Sequence, residues 1–394
     1  MNAPLPAVLR RQESPKQPAF LELFFDLVYV FAITQVTHLL VRNISWRSAF
    51  EAFVLFLALW WIWVLTAWLT DQFDPQHFLV QFHVILVMLA ILLMAIMVPH
   101  AFVGHGLFFA VAYLVINFGR VAFIMATARG TPLPGWAKRA AFWFAIAGVM
   151  WIAGTFTGGW ARGGIWLLAL AVDYTSAAFR WPVPWGGTPE WQPLISEYHL
   201  AERYRQVVIV AFGEVILTIG MTVADTGAEG ITPSRLGVLV LSFASTALMW
   251  RLYIYRAGEQ LAPAIAVAAN PHRLSRWSSY LHLVMVEGII LTAVGFTLLI
   301  ENPTGEPSPG WIAGITGGPA LFLVARSAFE YLIFGEFDRT RLIGVFALVG
   351  IAVAVVFVSP VVTSIAATLV LAGIAISDAV RGRHRRSGQP APLI

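Results

Sequence analysis

Apolar runs long enough to cross a lipid bilayer recur along the whole chain, and few folds can accommodate them. A spanning helix needs about 20 mostly apolar residues. Twelve segments fit: 20–41, 49–70, 77–98, 106–128, 139–157, 162–178, 203–222, 235–256, 277–300, 311–334, 341–358 and 361–380. The segments 162–178 and 341–358 are the shortest, and only Ser359 and Pro360 divide the last two, so ten or eleven spans are the alternatives. Hydrocarbon offers the backbone no hydrogen-bond partner, so runs of this length must be helical. Composition agrees: 59% of residues are hydrophobic and 12% charged, about half the ~25% charge of soluble domains. The expectation is an all-α integral membrane protein, a polytopic bundle of about twelve transmembrane helices.

The basic residues orient that bundle. With twelve spans and a cytoplasmic N-terminus, eighteen of the 25 Lys and Arg fall on the cytoplasmic side. Arg42, Arg47, Arg162 and Arg235 face the other side, and Arg120, Arg251 and Arg326 lie inside helices. Cytoplasmic loops are enriched in Lys and Arg, so both termini are expected in the cytoplasm of a plasma-membrane protein. The same scatter argues against nucleic acid as a partner, despite a pI near 9.6. The bilayer itself is the expected partner, with oligomerisation left open. There is no cysteine, which excludes disulfides and thiolate chemistry. No cofactor or metal motif stands in its proper context; His77 and His83 lack ligand spacing, and His100 with His105 lies in a loop of modest polarity.

Domain boundaries follow. Residues 1–18 form a polar, Pro-rich cytoplasmic tail with no apolar core of a signal peptide. Residues 19–178 hold spans one to six, and 203–380 hold spans seven to twelve. The connection 179–202 is rich in Trp and Pro and is expected along the headgroups; 381–394 is a basic cytoplasmic tail. Six spans per half would repeat in parallel. Echoes fit this: GRVAF at 119–123 with ARSAF at 325–329, and QFHVILVM at 81–88 with YLHLVMVE at 280–287.

Chemistry is carried by charge inside apolar runs, which is costly and needs a reason. The stretch FLELFFDLVYVFAITQ, residues 20–35, places Glu22 and Asp26 four residues apart on one helix face. Glu22 is expected to orient the helix at the interface, where an acid in the first turn suits the helix dipole. Asp26 lies deeper and needs a cation or a bound proton. Glu214 sits well inside span seven, too far from Arg203 to pair with it. Arg120 and Arg326 occupy corresponding spans of the two halves, so Asp26 with one and Glu214 with the other is the expected pairing. His83 and His282 echo each other as packing or proton-relay residues, with Glu287 five residues beyond. His199, Glu202 and Arg203 read as an interfacial ion-pair cluster. Asp71 and Asp74, before Pro75, read as ordinary residues of a helix end, with an acidic vestibule that attracts cations as the alternative.

Three stretches carry a family resemblance. ELFFDLVYVFAITQVTH at 22–38 resembles the opening motif of the bacterial low temperature requirement A (LtrA) family. YHLAERYRQVVIVAFGEVIL at 198–217 is similar to that family's later His–Glu–Arg helix with its Gly–Glu pair, with Val215 where the family often has Ser. WWIWVLTAWLTDQFD at 60–74 is similar to its Trp-rich second helix. The resemblance implies a multi-spanning membrane protein and no biochemical activity. The reading that best fits depth and charge is a channel or secondary transporter for an ion, proton or small solute, more a carrier than an enzyme. An intramembrane enzyme acting on lipid-like substrates and a membrane-state sensor or scaffold linked to low-temperature growth are the alternatives.

Overall fold

The computed structural model describes residues 7–10, 19–186, 196–306, 308–354, 358–384 and 392–393. Most of the N-terminal tail, residues 187–195 of the Trp-rich connection and most of the basic tail lie outside the described residues. The described chain is helical, with two isolated β-bridges (Leu9 with Phe73, Val183 with Gly186) and no strand. It divides into two compact units, Met1–Arg203 and Tyr204–Ile394.

The first unit contains α1 (Phe20–Arg42), α2 (Trp46–Gln72), α3 (Phe78–Met97), α4 (Gly106–Thr127), α5 (Leu133–Thr155) and α6 (Gly159–Ala178). It also takes in the opening of α7 (Glu197–Ala224), up to Arg203. Local signals start these helices: Ser45 caps α2 by accepting from the Ser48 N–H, and His77 caps α3 by accepting from Leu79. α2 is the central helix, with 78% of its most apolar stretch buried, against 44% for α3 and 39% for α4. The others run around it: α1 on α3, α3 on α4, α4 on α5, α5 on α6, and α6 back on α2.

The second unit holds the rest of α7, then α8 (Gly227–Gly230), α9 (Pro233–Tyr253), α10 (Glu259–Val267) and α11 (Pro271–Glu301). α12 (Pro309–Ile312), α13 (Gly318–Phe334), α14 (Arg339–Ala354) and α15 (Pro360–His384) complete it. Here α11 is the central helix, again 78% buried over its apolar stretch. α11 packs on α13, α13 on α14, α14 on α15, and α15 on α9. Glycine lets α11 approach the segment Ala313–Gly317 that leads into α13: a Cβ on Gly295 would stand 2.5 Å from the carbonyl carbon of Gly314.

A helix occupies each of the twelve expected segments. Among the described residues nine helical segments are long and apolar enough to cross a membrane. α5, α6 and α14 are not among them.

Candidate functional site

The sequence's two acids meet in a buried charge network of the first unit. α7 begins six residues before the expected span, at Glu197, so His199 and Arg203 are helical and lie one turn apart. Both are buried, at 0% and 1% exposure. Glu202, on another side of the helix, is half-buried. Glu22 and Asp26, one turn apart on α1, are each 1% exposed. The i, i+4 spacing of both pairs is what lets two helices face each other with two charges apiece.

Arg203 takes Asp26. Its Nη1 donates to Asp26 Oδ2 and its Nη2 to Oδ1, both at 2.8 Å. Such two-pronged contacts are among the strongest a carboxylate makes. Nη1 also donates to the Glu22 carbonyl at 3.1 Å, and Trp63 Nε1 of α2 donates to Asp26 Oδ1 at 3.0 Å. The guanidinium lies 5.6 Å from the Trp63 ring centre and 5.9 Å from that of Phe25. The pairing expected for Asp26, with Arg120 or Arg326, is replaced by this one. Hydropathy had put Arg203 at a span's edge, which hid it.

His199 bridges two more carboxylates. Its Nε2 lies 2.7 Å from Glu22 Oε1, and its Nδ1 lies 3.1 Å from Asp71 Oδ1. Glu22 is therefore no simple interface marker; its other oxygen also accepts the Ala19 N–H at 2.8 Å and so closes the start of α1. Asp71, read from the sequence as a helix-end residue, belongs to the network and accepts from the Ser196 N–H at 3.2 Å as well. Asp74 keeps the bland role, accepting from Gln76 N–H in an exposed turn. The residues 8–10 lie against the end of α2: Arg10 N–H donates to the Gln72 carbonyl and Asp74 N–H to the Val8 carbonyl.

A neutral imidazole has one N–H. With both ring nitrogens against carboxylate oxygens, a second proton is required, on the ring or on one carboxyl. The network is thus a place where a proton resides between buried acids. Among the described residues no three His, Cys, Asp or Glu side chains are placed to hold a metal ion.

The remaining residues lie elsewhere. In the first unit, Arg120 donates to Asn117 Oδ1 and Thr66 Oγ1 at 3.1 Å each and to the Ile62 carbonyl at 3.5 Å. His83 stacks on Phe123, ring centres 4.5 Å apart. In the second unit, Glu214 is buried and accepts from the Thr218 hydroxyl at 2.8 Å. Arg326 donates to Glu330 and to the carbonyls of Leu252 and Tyr255. Glu330 also pairs with Arg341, which reaches Asp378 at 2.9 Å. The sequence reading missed Glu330, although its i, i+4 spacing from Arg326 was visible. His282 is held as a packing residue: Nδ1 donates to the Ser278 carbonyl at 2.7 Å, which leaves Nε2 to accept from Tyr253 at 3.1 Å. Glu287, mid-way along α11, has no hydrogen bond or ion pair among the described residues.

These helices and their buried charge define a multi-pass α-helical membrane protein. The sequence profile described as bacterial low temperature requirement A protein (LtrA) matches residues 19–376, and the chain belongs to that family. A relative from Rhizobium meliloti (strain 1021), named "Uncharacterized protein RA0937", is 34% identical over 384 residues, covering 96% of this chain and 93% of that protein. No solved structure matches.

Proposed function

We propose that the protein is a secondary transporter or channel of the plasma membrane, with twelve spans and both termini cytoplasmic, in which the Glu22–His199–Asp71 group takes up and releases a proton. The observation that carries this reading is the imidazole of His199 held by both nitrogens between two buried carboxylates. Moving one proton there changes the charge beside the Asp26–Arg203 pair by one unit inside membrane-spanning helices. Buried acid, histidine and arginine in such helices mark proton and ion pathways more often than structural decoration. Charge balance favours the same cytoplasmic placement, because Lys and Arg crowd the loops on the side where α1 starts. The matching packing circuits of the two units support two six-helix repeats.

The test is proton flux in liposomes holding the full chain, followed with an internal pH-sensitive dye under imposed ion gradients. Wild type should move protons, and His199→Gln should lose at least tenfold of that rate while eluting as a folded species. Wild-type flux in the folded His199→Gln protein, or no flux in wild type under any gradient, overturns the reading.

A further inference from the structure

We propose that Arg120 is the charged floor of a small-anion binding site inside the first unit. The other deeply buried arginines show what is missing. Arg203 has Asp26, while Arg326 and Arg341 share Glu330. Among the described residues Arg162 has no carboxylate within ion-pair distance, but donates to four carbonyls, those of Gly154, Thr157, Ala101 and Thr155. Arg120, 2% exposed, has a hydroxyl, an amide oxygen and one long contact to a carbonyl. Among the described residues no carboxylate lies within ion-pair distance of it, and its buried Nε has no partner. A guanidinium removed from water with only neutral partners is costly, and a negative ligand offsets that cost.

Sequence shows how the uncompensated charge arises. Arg326 is followed four residues later by Glu330, which neutralises it; in the echoing stretch Arg120 is followed four residues later by Ile124. The chain supplies the counter-charge to one arginine and withholds it from the other. A second donor stands nearby. His83 of α3 lies flat on Phe123, one turn from Arg120 on α4. Its Nε2 is buried without a hydrogen-bond partner. An orphaned guanidinium N–H and an unpartnered imidazole nitrogen, which donates in the tautomer that carries its proton on Nε2, together supply the donor set of an anion site.

The competing account is internal. Asp173 of α6 is fully buried and accepts from the Tyr113 hydroxyl at 2.7 Å, with its other oxygen unpartnered. Asn117 donates to the Tyr113 carbonyl at 3.0 Å and accepts from Arg120. Asp173 is thus linked to Arg120 only through intervening groups, beyond ion-pair reach. The ligand chemistry is a monovalent oxygen or halide anion, either a bare ion or the carboxylate of a small solute. The proposal concerns binding and stands apart from proton transport.

The experiment is thermal unfolding of the purified full chain, followed by tryptophan fluorescence, at constant ionic strength. Chloride and acetate are titrated against the bulky sulfonate isethionate. Wild type should gain a few degrees, saturably. A response to chloride alone makes a bare ion the ligand, and one to acetate alone a solute carboxylate. Folded Arg120→Gln should lose the gain, and His83→Gln should shift its midpoint several-fold to higher concentration. The second variant decides the matter where Arg120→Gln does not fold. No gain in wild type, an equal gain in Arg120→Gln, or an unshifted His83→Gln overturns the proposal. So does full recovery of wild-type stability in Arg120→Gln/Asp173→Asn from two unstable single variants, which would make Asp173 the counter-charge.

Discussion

Arg203 and Asp26 lie 177 positions apart, and the guanidinium of one meets both oxygens of the other at 2.8 Å. This pair joins the opening of α7 to α1, so each residue's burial depends on the other. Arg203→Ala should cost about 3–5 kcal/mol, because it leaves a buried carboxylate alone. In a double-mutant cycle read by unfolding in detergent, Asp26→Asn and Arg203→Gln should couple by about 2 kcal/mol or more. Asp26→Asn with Arg120→Gln should be additive within about 0.5 kcal/mol.

Trp63 supports the same carboxylate through one N–H. Trp63→Phe keeps most of the ring packing and removes that donor. It should destabilise the protein by about 1–3 kcal/mol, and the loss should shrink in an Asp26→Asn background, where the acceptor is neutral.

Asp71 and Asp74 are close in sequence and differ in role. Asp71 holds His199, whereas Asp74 closes an exposed turn. In the liposome proton assay Asp71→Asn should slow flux at least tenfold, and Asp74→Asn should leave it within about twofold of wild type. Equal effects would remove Asp71 from the proposed proton group.

Arg162 gathers four backbone carbonyls around one guanidinium, near the start of α6. Arg162→Lys keeps the charge and loses the planar fork. It should still cost at least about 1.5–3 kcal/mol, the scale of one hydrogen bond to a charged group. Thermal unfolding of the two proteins side by side measures it.

Gly295 and Gly314 set how closely α11 meets the turn before α13. A methyl at Gly295 meets backbone, which cannot swing away. Gly295→Ala should therefore destabilise by about 1–3 kcal/mol, whereas Gly350→Ala, with open space around its Cβ, should change stability by less than about 0.5 kcal/mol.

The sequence by itself determined that the chain is helical, that it enters a membrane, and which family it joins. Those properties are written in local runs: twenty apolar residues lower the same free energy wherever they stand, and each expected run is a helix. It also marked Glu22, Asp26, His199 and Arg203 as costly charges in need of partners. Only the tertiary structure decided who the partners are. Partner choice depends on how each helix is rotated and where it starts, and α7 starts six residues before the expected span, which brings His199 and Arg203 onto one helical face. Asp71 looked like the end of a helix because its partner, His199, is 128 positions away. Arg326 has Glu330 one turn on in its own helix, a local difference from Arg120 that the sequence already carried; only the packing decided that Thr66 and Asn117 are the groups around Arg120. Hydropathy adds up residue by residue, whereas charge pairing is a property of two distant surfaces brought together.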